Sequence, residues 1–166
     1  MIDAQDLNGK TVAFVNFGTN TAIDLSGGHC DPPDGTPCIG WDAVLSENQQ
    51  WKLVKLRDGP GGLPLFRIQN VKAPGKALDL YNGSSSDNTK ITGWSHGSTT
   101  NDHQLWYIHP VGEFQNRGNV VMLENYGTNT FVDLYLGGAA NGTSVVGWQG
   151  SLKALGSHQL WFLKFT

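Results

Sequence analysis

Three aspartates in matched settings, Asp24, Asp79 and Asp133, are the first candidates for chemistry. Each is followed by a Gly-Trp pair (Gly40-Trp41, Gly93-Trp94, Gly147-Trp148) and then by a Gln-x-Trp. A carboxylate can accept hydrogen bonds from hydroxyls or serve in acid–base work. Glycosidic hydrolysis would need two carboxylic acids flanking one bond, whereas these three belong to separate copies of a repeat. No Gly-x-Ser-x-Gly elbow, phosphate-cradling glycine loop or zinc-protease helix is present. The five histidines, His29, His96, His103, His109 and His158, stand beside no Cys or Ser in an evident catalytic setting. Cys30 and Cys38 share one loop and are within reach of a local disulfide. With His29 they fall one ligand short of the usual tetrahedral zinc set, unless Asp31 or Asp34 joins. These residues point to binding, with no catalytic residue, no metal and no cofactor.

The elements that must position the aspartates follow from spacing. Gln-x-Trp occurs at Gln49–Trp51, Gln104–Trp106 and Gln159–Trp161, at intervals of 55 residues. A fixed period of this size marks an internally repeated fold. The longer pattern begins at Asn16, Asn70 and Asn125, and the segments GTNTAIDL (Gly18–Leu25) and GTNTFVDL (Gly127–Leu134) are nearly identical. The 166 residues fit one domain, 1–166, of three repeats over approximately 11–58, 64–111 and 119–166.

Composition narrows the partner. The formal net charge is −3, so the surface offers no electrostatic footprint for nucleic acid or an anionic membrane. No apolar run has the length of a membrane span. MIDAQDLNGK lacks a basic-then-apolar leader, which implies a cytoplasmic protein whose release would take a non-classical route. Asn82-Gly83-Ser84 and Asn141-Gly142-Thr143 match the glycosylation sequon, which matters only on secretion. A neutral ligand is favoured.

Only 15% of residues are charged and 22 are glycines, a balance suited to short strands and tight turns. Apolar segments open each unit (Thr11–Phe17, Leu65–Val71, Val120–Tyr126) and close it (Trp51–Leu56, Trp106–Val111, Trp161–Phe165). Two shorter ones lie between, around Ala22–Leu25 and Ile39–Trp41 in the first copy. About four strands per unit cannot bury an apolar face alone, but three units around a pseudo-threefold axis can. Trp51, Trp106 and Trp161 are then core residues, and their Gln partners satisfy backbone groups in the adjoining loop.

Tandem Gln-x-Trp units with an upstream Asp and an intervening aromatic resemble the ricin B-type lectin family, an all-β β-trefoil fold. The length resembles that of its single-domain mushroom (fungal) members. The resemblance runs from about Thr11 to Thr166. It implies a metal-independent lectin, or agglutinin, for terminal galactose or N-acetylgalactosamine on glycans of glycoproteins or glycolipids. A homodimer is implied by analogy with those mushroom members. Because β-trefoils also serve as protease inhibitors, the rival expectation is an inhibitor acting through exposed loops, with Gly27–Cys38 as the natural candidate.

A sugar needs directional partners for its hydroxyls and an aromatic plate for its C–H face. In the family pattern these come from the Asp, the aromatic and an Asn just before Gln-x-Trp. The first copy has all three: Asp24, Trp41 and Asn48. The second has Asp79 and Trp94 but His103, and the third Asp133 and Trp148 but His158. An imidazole lacks the donor–acceptor pair of an amide. Four residues past each Asp stands Gly28, Gly83 or Gly137, a turn requirement. One position earlier the copies read Gly27, Asn82 and Leu136, so only the first leaves main chain open to a ring. The expectation is one good site, at Asp24, Gly27, Trp41 and Asn48, with weaker or vestigial ones elsewhere. Recurrence also permits structural roles: each Asp could tie down its own turn, and each Trp could pack on the barrel flank.

Overall fold

A computed structural model of the chain describes residues 1–98 and 100–166. The first repeat forms β1 (Thr11–Asn16), β2 (Thr21–Leu25), β3 (Thr36–Asp42) and β4 (Trp51–Asp58). The second forms β5 (Pro64–Asn70), β6 (Lys76–Leu80), β7 (Thr89–Ser95) and β8 (Trp106–Phe114). The third forms β9 (Gly118–Asn125), β10 (Phe131–Leu134), β11 (Thr143–Trp148) and β12 (Trp161–Phe165). Among the described residues the only helices are single 3-10 turns.

The strands close into two rings. The first and last strands of the repeats pair antiparallel in the cycle β1–β4–β5–β8–β9–β12 and back to β1, which makes a six-stranded barrel. The hairpins β2–β3, β6–β7 and β10–β11 cap it, and their outer strands join as β3–β7, β7–β11 and β11–β3. This is the β-trefoil that the family resemblance implies, with the three units about one axis that the repeats indicate. Ring closure pairs every strand of the described residues on both rings, which protects sheet edges from pairing with another chain.

Two strands run further than the apolar pattern indicated. Strand β4 continues past Leu56 to Asp58 and β8 past Val111 to Phe114, each through an irregularity in its register, between Lys55 and Arg57 and between Pro110 and Gly112. The outer ends of these hairpins keep their backbone pairing, and side chains add to it: Asp58 pairs with Lys55 at 2.9 Å and the Phe114 ring lies 5.3 Å from that of Phe17.

The recurring motif residues build the threefold centre. Trp51, Trp106 and Trp161 are wholly buried, and their Nε1 groups donate to the carbonyls of Ile23, Leu78 and Val132 at 3.1, 2.9 and 3.1 Å. The Leu after each Asp packs on the Gly of the next copy's Gly-Trp pair. A Cβ on Gly93, Gly147 or Gly40 would come within 2.7, 2.6 or 2.8 Å of a methyl of Leu25, Leu80 or Leu134. Asp-Leu and Gly-Trp recur together because one repeat's leucine needs the next repeat's bare α-carbon.

The Asn that opens each unit holds the Gln-x-Trp turn of the preceding one. Asn70 Nδ2 donates to Asn48 O at 3.0 Å, and Asn125 Nδ2 to His103 O at 3.2 Å. Asn16 closes the circle with 3.3 Å bonds to the carbonyls of Ser157 and His158. These turns carry Asn48, His103 and His158, the residues that differ between the repeats, so the fold fixes their backbone from the neighbouring unit.

Candidate functional site

On the β2–β3 hairpin, Asp24 lies opposite Ile39 and Ala22 opposite Trp41. Residues two apart on a strand share a face, so Asp24 and Trp41 emerge on the same side. Gly27 lies in the turn after β2, with φ of +87°. Asn48 comes from the single 3-10 turn Glu47–Gln49 just before β4. All four border one open cavity of about 390 Å³, together with Ser26, Ile39, Val44 and Ser46.

The floor of this cavity is a hydrogen-bonded set. Asp24 is 6% exposed; its Oδ1 accepts from Asn48 Nδ2 at 3.0 Å and its Oδ2 from Gln49 Nε2 at 2.9 Å. Asn48 Oδ1 accepts from Ser46 Oγ at 2.7 Å. Gln49 Nε2 also donates to Asp42 O at 2.9 Å, while its Oε1 accepts from the amides of Val44 and Leu45. The Gln thus does bind backbone in the adjoining loop, as expected, and also grips the Asp. Asp24 reaches across to the Gln-x-Trp turn; among the described residues its carboxylate makes no bond to its own glycine turn. Burial raises the Asp24 carboxyl above its ordinary pKa of 3.8, and the bonds from Gln49 and Asn48 offset this only in part.

Above the floor, the Trp41 indole is 42% exposed and Val44 70%. Gly27 is open to solvent, but a side chain added there would press on the His29 ring, 3.0 Å from its Cδ2. The bare main chain read from the sequence is therefore flanked by an imidazole.

The equivalent regions differ in shape. In the second repeat Asp79, Asn82, Trp94, Asn101 and His103 border a cavity of about 210 Å³. In the third, His158 borders two hollows. One of about 380 Å³ touches Asp133 but not Trp148, and one of about 210 Å³ contains Asp133, Leu136 and Trp148. The same Asp–Gln grip recurs, at 2.9 Å for Asp79 with Gln104 and 3.0 Å for Asp133 with Gln159. Burial raises both carboxyls, opposed by those glutamines and by the nearby His103 and His158. A Cβ on Gly83 or Gly137 would collide with His103 or His158, so here the glycine makes room for an imidazole as well as for its left-handed turn. The preceding Asn82 and Leu136 also hold positive φ, of 53° and 52°.

One determinant escaped the sequence reading. Two residues after the Asp stand Ser26, Tyr81 and Tyr135. Tyr81 lies 6.3 Å from the Trp94 ring and Tyr135 6.3 Å from Trp148, centre to centre. Ser26 leaves Trp41 without such a neighbour. The signal was a position-by-position comparison of the copies, with attention to residue size.

Cys30 is exposed and Cys38 is buried in the core, and both are free thiols. Burial, and secondarily the charges of Asp24 and Asp79, push the Cys38 thiol far up in pKa, so it is inert as a nucleophile. Among the described residues no cluster of His, Cys, Asp and Glu is arranged to hold a metal. The Gly27–Cys38 loop is pinned to the second repeat: Asp34 Oδ1 accepts from Lys76 Nζ at 2.8 Å and from Ser95 N at 2.7 Å. Burial acts to raise the Asp34 carboxyl, but these hydrogen bonds and the Lys76 charge outweigh it and hold the carboxyl below its ordinary range.

The model of the family described as ricin-type beta-trefoil lectin domain-like matches residues 4–94 and 47–148 of this chain. No curated protein sequence matches significantly. Among solved structures, the designed threefold-symmetric protein ThreeFoil superposes with a TM-score of 0.75 at 24% identity, over 93% of this chain and 97% of its own. The Macrolepiota procera ricin B-like lectin, solved with lactose, gives 0.67 at 24% identity, over 99% and 98%. The Polyporus squamosus lectin, bound to a sialylated influenza-binding epitope, gives 0.70 at 23% identity over 94% of this chain, which spans 49% of that lectin.

Proposed function

This chain belongs to the ricin-type β-trefoil lectin-like domain family, and we propose that it binds a terminal galactose or N-acetylgalactosamine through the cavity of the first repeat. Asp24 accepts hydrogens from two neighbouring sugar hydroxyls on its unshared lone pairs. The open indole of Trp41 supports the C–H face of the ring. Asn48 bridges a further hydroxyl, and the main chain at Gly27 admits the ring edge. The observation that carries this reading is the meeting of these four residues around one open cavity, with the carboxylate already oriented by Gln49 and Asn48. Pre-orientation lowers the entropic cost of binding and leaves a misplaced hydroxyl unpaired, which is the basis for discriminating epimers.

The proposed lectin is not an enzyme. Asp24, Asp79 and Asp133 are each bound to the glutamine of their own repeat and form no acid–base pair. No metal takes part, because the hydroxyl partners are side chains. Affinity for one monosaccharide should fall at about millimolar to micromolar Kd. A homodimer would present two such sites and agglutinate glycan-coated surfaces through avidity.

Retention on galactose-linked resin, with release by free sugar, tests the assignment; flow-through at neutral pH together with inhibition of a protease would favour the inhibitor reading. The pH profile adds a second arm. Sugar binding needs the Asp24 carboxylate, and burial holds its pKa above 3.8, so retention should fall as pH drops through that raised value. A carboxyl whose pKa is raised by folding takes up its proton more readily in the folded state, so its protonation does not itself drive unfolding. Retention should therefore disappear while the protein stays folded, as circular dichroism would report. Retention unchanged down to pH values below 3.8 would count against Asp24 as the hydroxyl acceptor.

A further inference from the structure

We propose that Asn141, in the third repeat and outside the cavity, is a positioning residue for the first-repeat sugar site. The proposal rests on the sugar reading of that cavity. Asn141 Oδ1 accepts from Asp42 N at 2.8 Å and its Nδ2 donates to Asp42 Oδ2 at 3.1 Å. Asp42 follows Trp41 directly, and its carbonyl accepts from the same Gln49 Nε2 that grips Asp24. One peptide segment thus receives the third repeat on its N–H side and the Asp24 network on its carbonyl side. Gly142 N donates to Gly40 O at 2.9 Å, which fixes the residue before Trp41 from the same loop. Trp41 is held from both flanks by a neighbouring repeat.

The arrangement recurs around the axis with a difference. Asp34 of the first repeat accepts from Ser95 N at 2.7 Å, just after Trp94, and Asp87 of the second from Gln149 N at 2.8 Å, just after Trp148. Those two clamps are carboxylates facing a serine or a glutamine. Asp42 brings its own carboxylate, so its clamp must be an amide that accepts from the backbone and donates to that carboxylate at once. An acid at 141 would set two carboxylates at hydrogen-bond distance, which cannot both stay ionised there without repulsion.

The test is Asn141→Asp, the double variant Asp42→Asn with Asn141→Asp, and Asp87→Ala as the matched clamp of another repeat. Affinity is read by calorimetric titration with N-acetylgalactosamine, stability by thermal unfolding, and Trp41 by the NMR signal of its indole N–H, assigned with Trp41→Phe. Asn141→Asp should weaken binding about tenfold, equivalent to about 1.4 kcal/mol, and displace the Trp41 signal. The double variant restores the amide–carboxylate pair with the partners exchanged and should recover both. Asp87→Ala should lower the unfolding temperature without weakening sugar binding. Wild-type affinity in Asn141→Asp, no recovery in the double variant, or equal weakening by Asp87→Ala would each overturn the proposal. If the wild type binds no sugar, the function reading fails, while the Trp41 signal in Asn141→Asp still decides whether Asn141 positions the indole.

Discussion

Asp24→Ala is expected to lower affinity for galactose-type sugars by at least about a hundredfold. Hydrogen bonds to a charged acceptor contribute roughly 1.5–3 kcal/mol each, and about 2.7 kcal/mol is a hundredfold. The substitution also removes the partner of Gln49 Nε2 and of Asn48 Nδ2 at a buried position. The sequence alone suggests loss of binding in an otherwise intact protein, but the grip of Gln49 adds a stability cost of about 1–3 kcal/mol for the stranded amides. Asp24→Asn, which keeps the shape, should separate the two effects by losing affinity at a smaller stability cost. Calorimetric titration and denaturant unfolding read them independently. Asp79→Ala and Asp133→Ala should show the stability loss and keep the affinity. Equal loss of sugar binding in those variants would contradict a single principal site.

The largest effect on stability belongs to the buried tryptophans. Trp106→Ala is expected to cost about 3–5 kcal/mol, the range for deleting a buried large aromatic side chain. The indole is wholly buried, and its loss also leaves the Leu78 carbonyl without its 2.9 Å donor. That is a large part of the roughly 5–15 kcal/mol that holds a typical domain together. Trp41→Ala provides the contrast, because Trp41 is open to solvent. It should change unfolding free energy by less than about 1 kcal/mol and remove sugar binding. Denaturant midpoints for both variants check the pair; a Trp41→Ala loss as large as that of Trp106→Ala would make Trp41 a packing residue.

The division between these two kinds of tryptophan was legible in the sequence. Trp51, Trp106 and Trp161 recur within one tight motif at a constant period, and the repeat needs apolar area at its axis. Period, turn composition and short apolar runs together indicate an all-β fold of three units about an axis, and the resemblance to the ricin B-type family implies the trefoil. What escaped detection depends on contacts between distant positions. The bond from Gln49 to Asp24 joins residues that the motif treats as separate features. The need for glycine before Trp41, Trp94 and Trp148 comes from leucines of a neighbouring repeat. The ends of β4 and β8 lie past the apolar runs and are held by cross-strand pairing and by contacts such as Lys55 with Asp58 and Phe114 with Phe17.

The candidate site was legible in part. Asp24, Gly27, Trp41 and Asn48 do border one cavity. Ser26 lies outside the motif that pairs Asn48 with His103 and His158; it stands where Tyr81 and Tyr135 lie 6.3 Å from the indoles of Trp94 and Trp148. The cavity-lining Val44 and Ser46 lie in a loop whose path is set by bonds from Gln49 and Gln50 that the sequence does not show. Asn141 is remote in sequence from Trp41 and Asp42, and the sequon pattern Asn141-Gly142-Thr143 does not point to the contact it makes.

The central claim is that one cavity, beside Trp41, takes the sugar. An NMR titration of the indole N–H signals with N-acetylgalactosamine tests it most directly, because all six tryptophans report at once. The Trp41 signal should shift and saturate, while those of Trp94 and Trp148 hold still. Shifts of equal size and midpoint at Trp94 or Trp148, or no movement at Trp41 at saturating sugar, would contradict it.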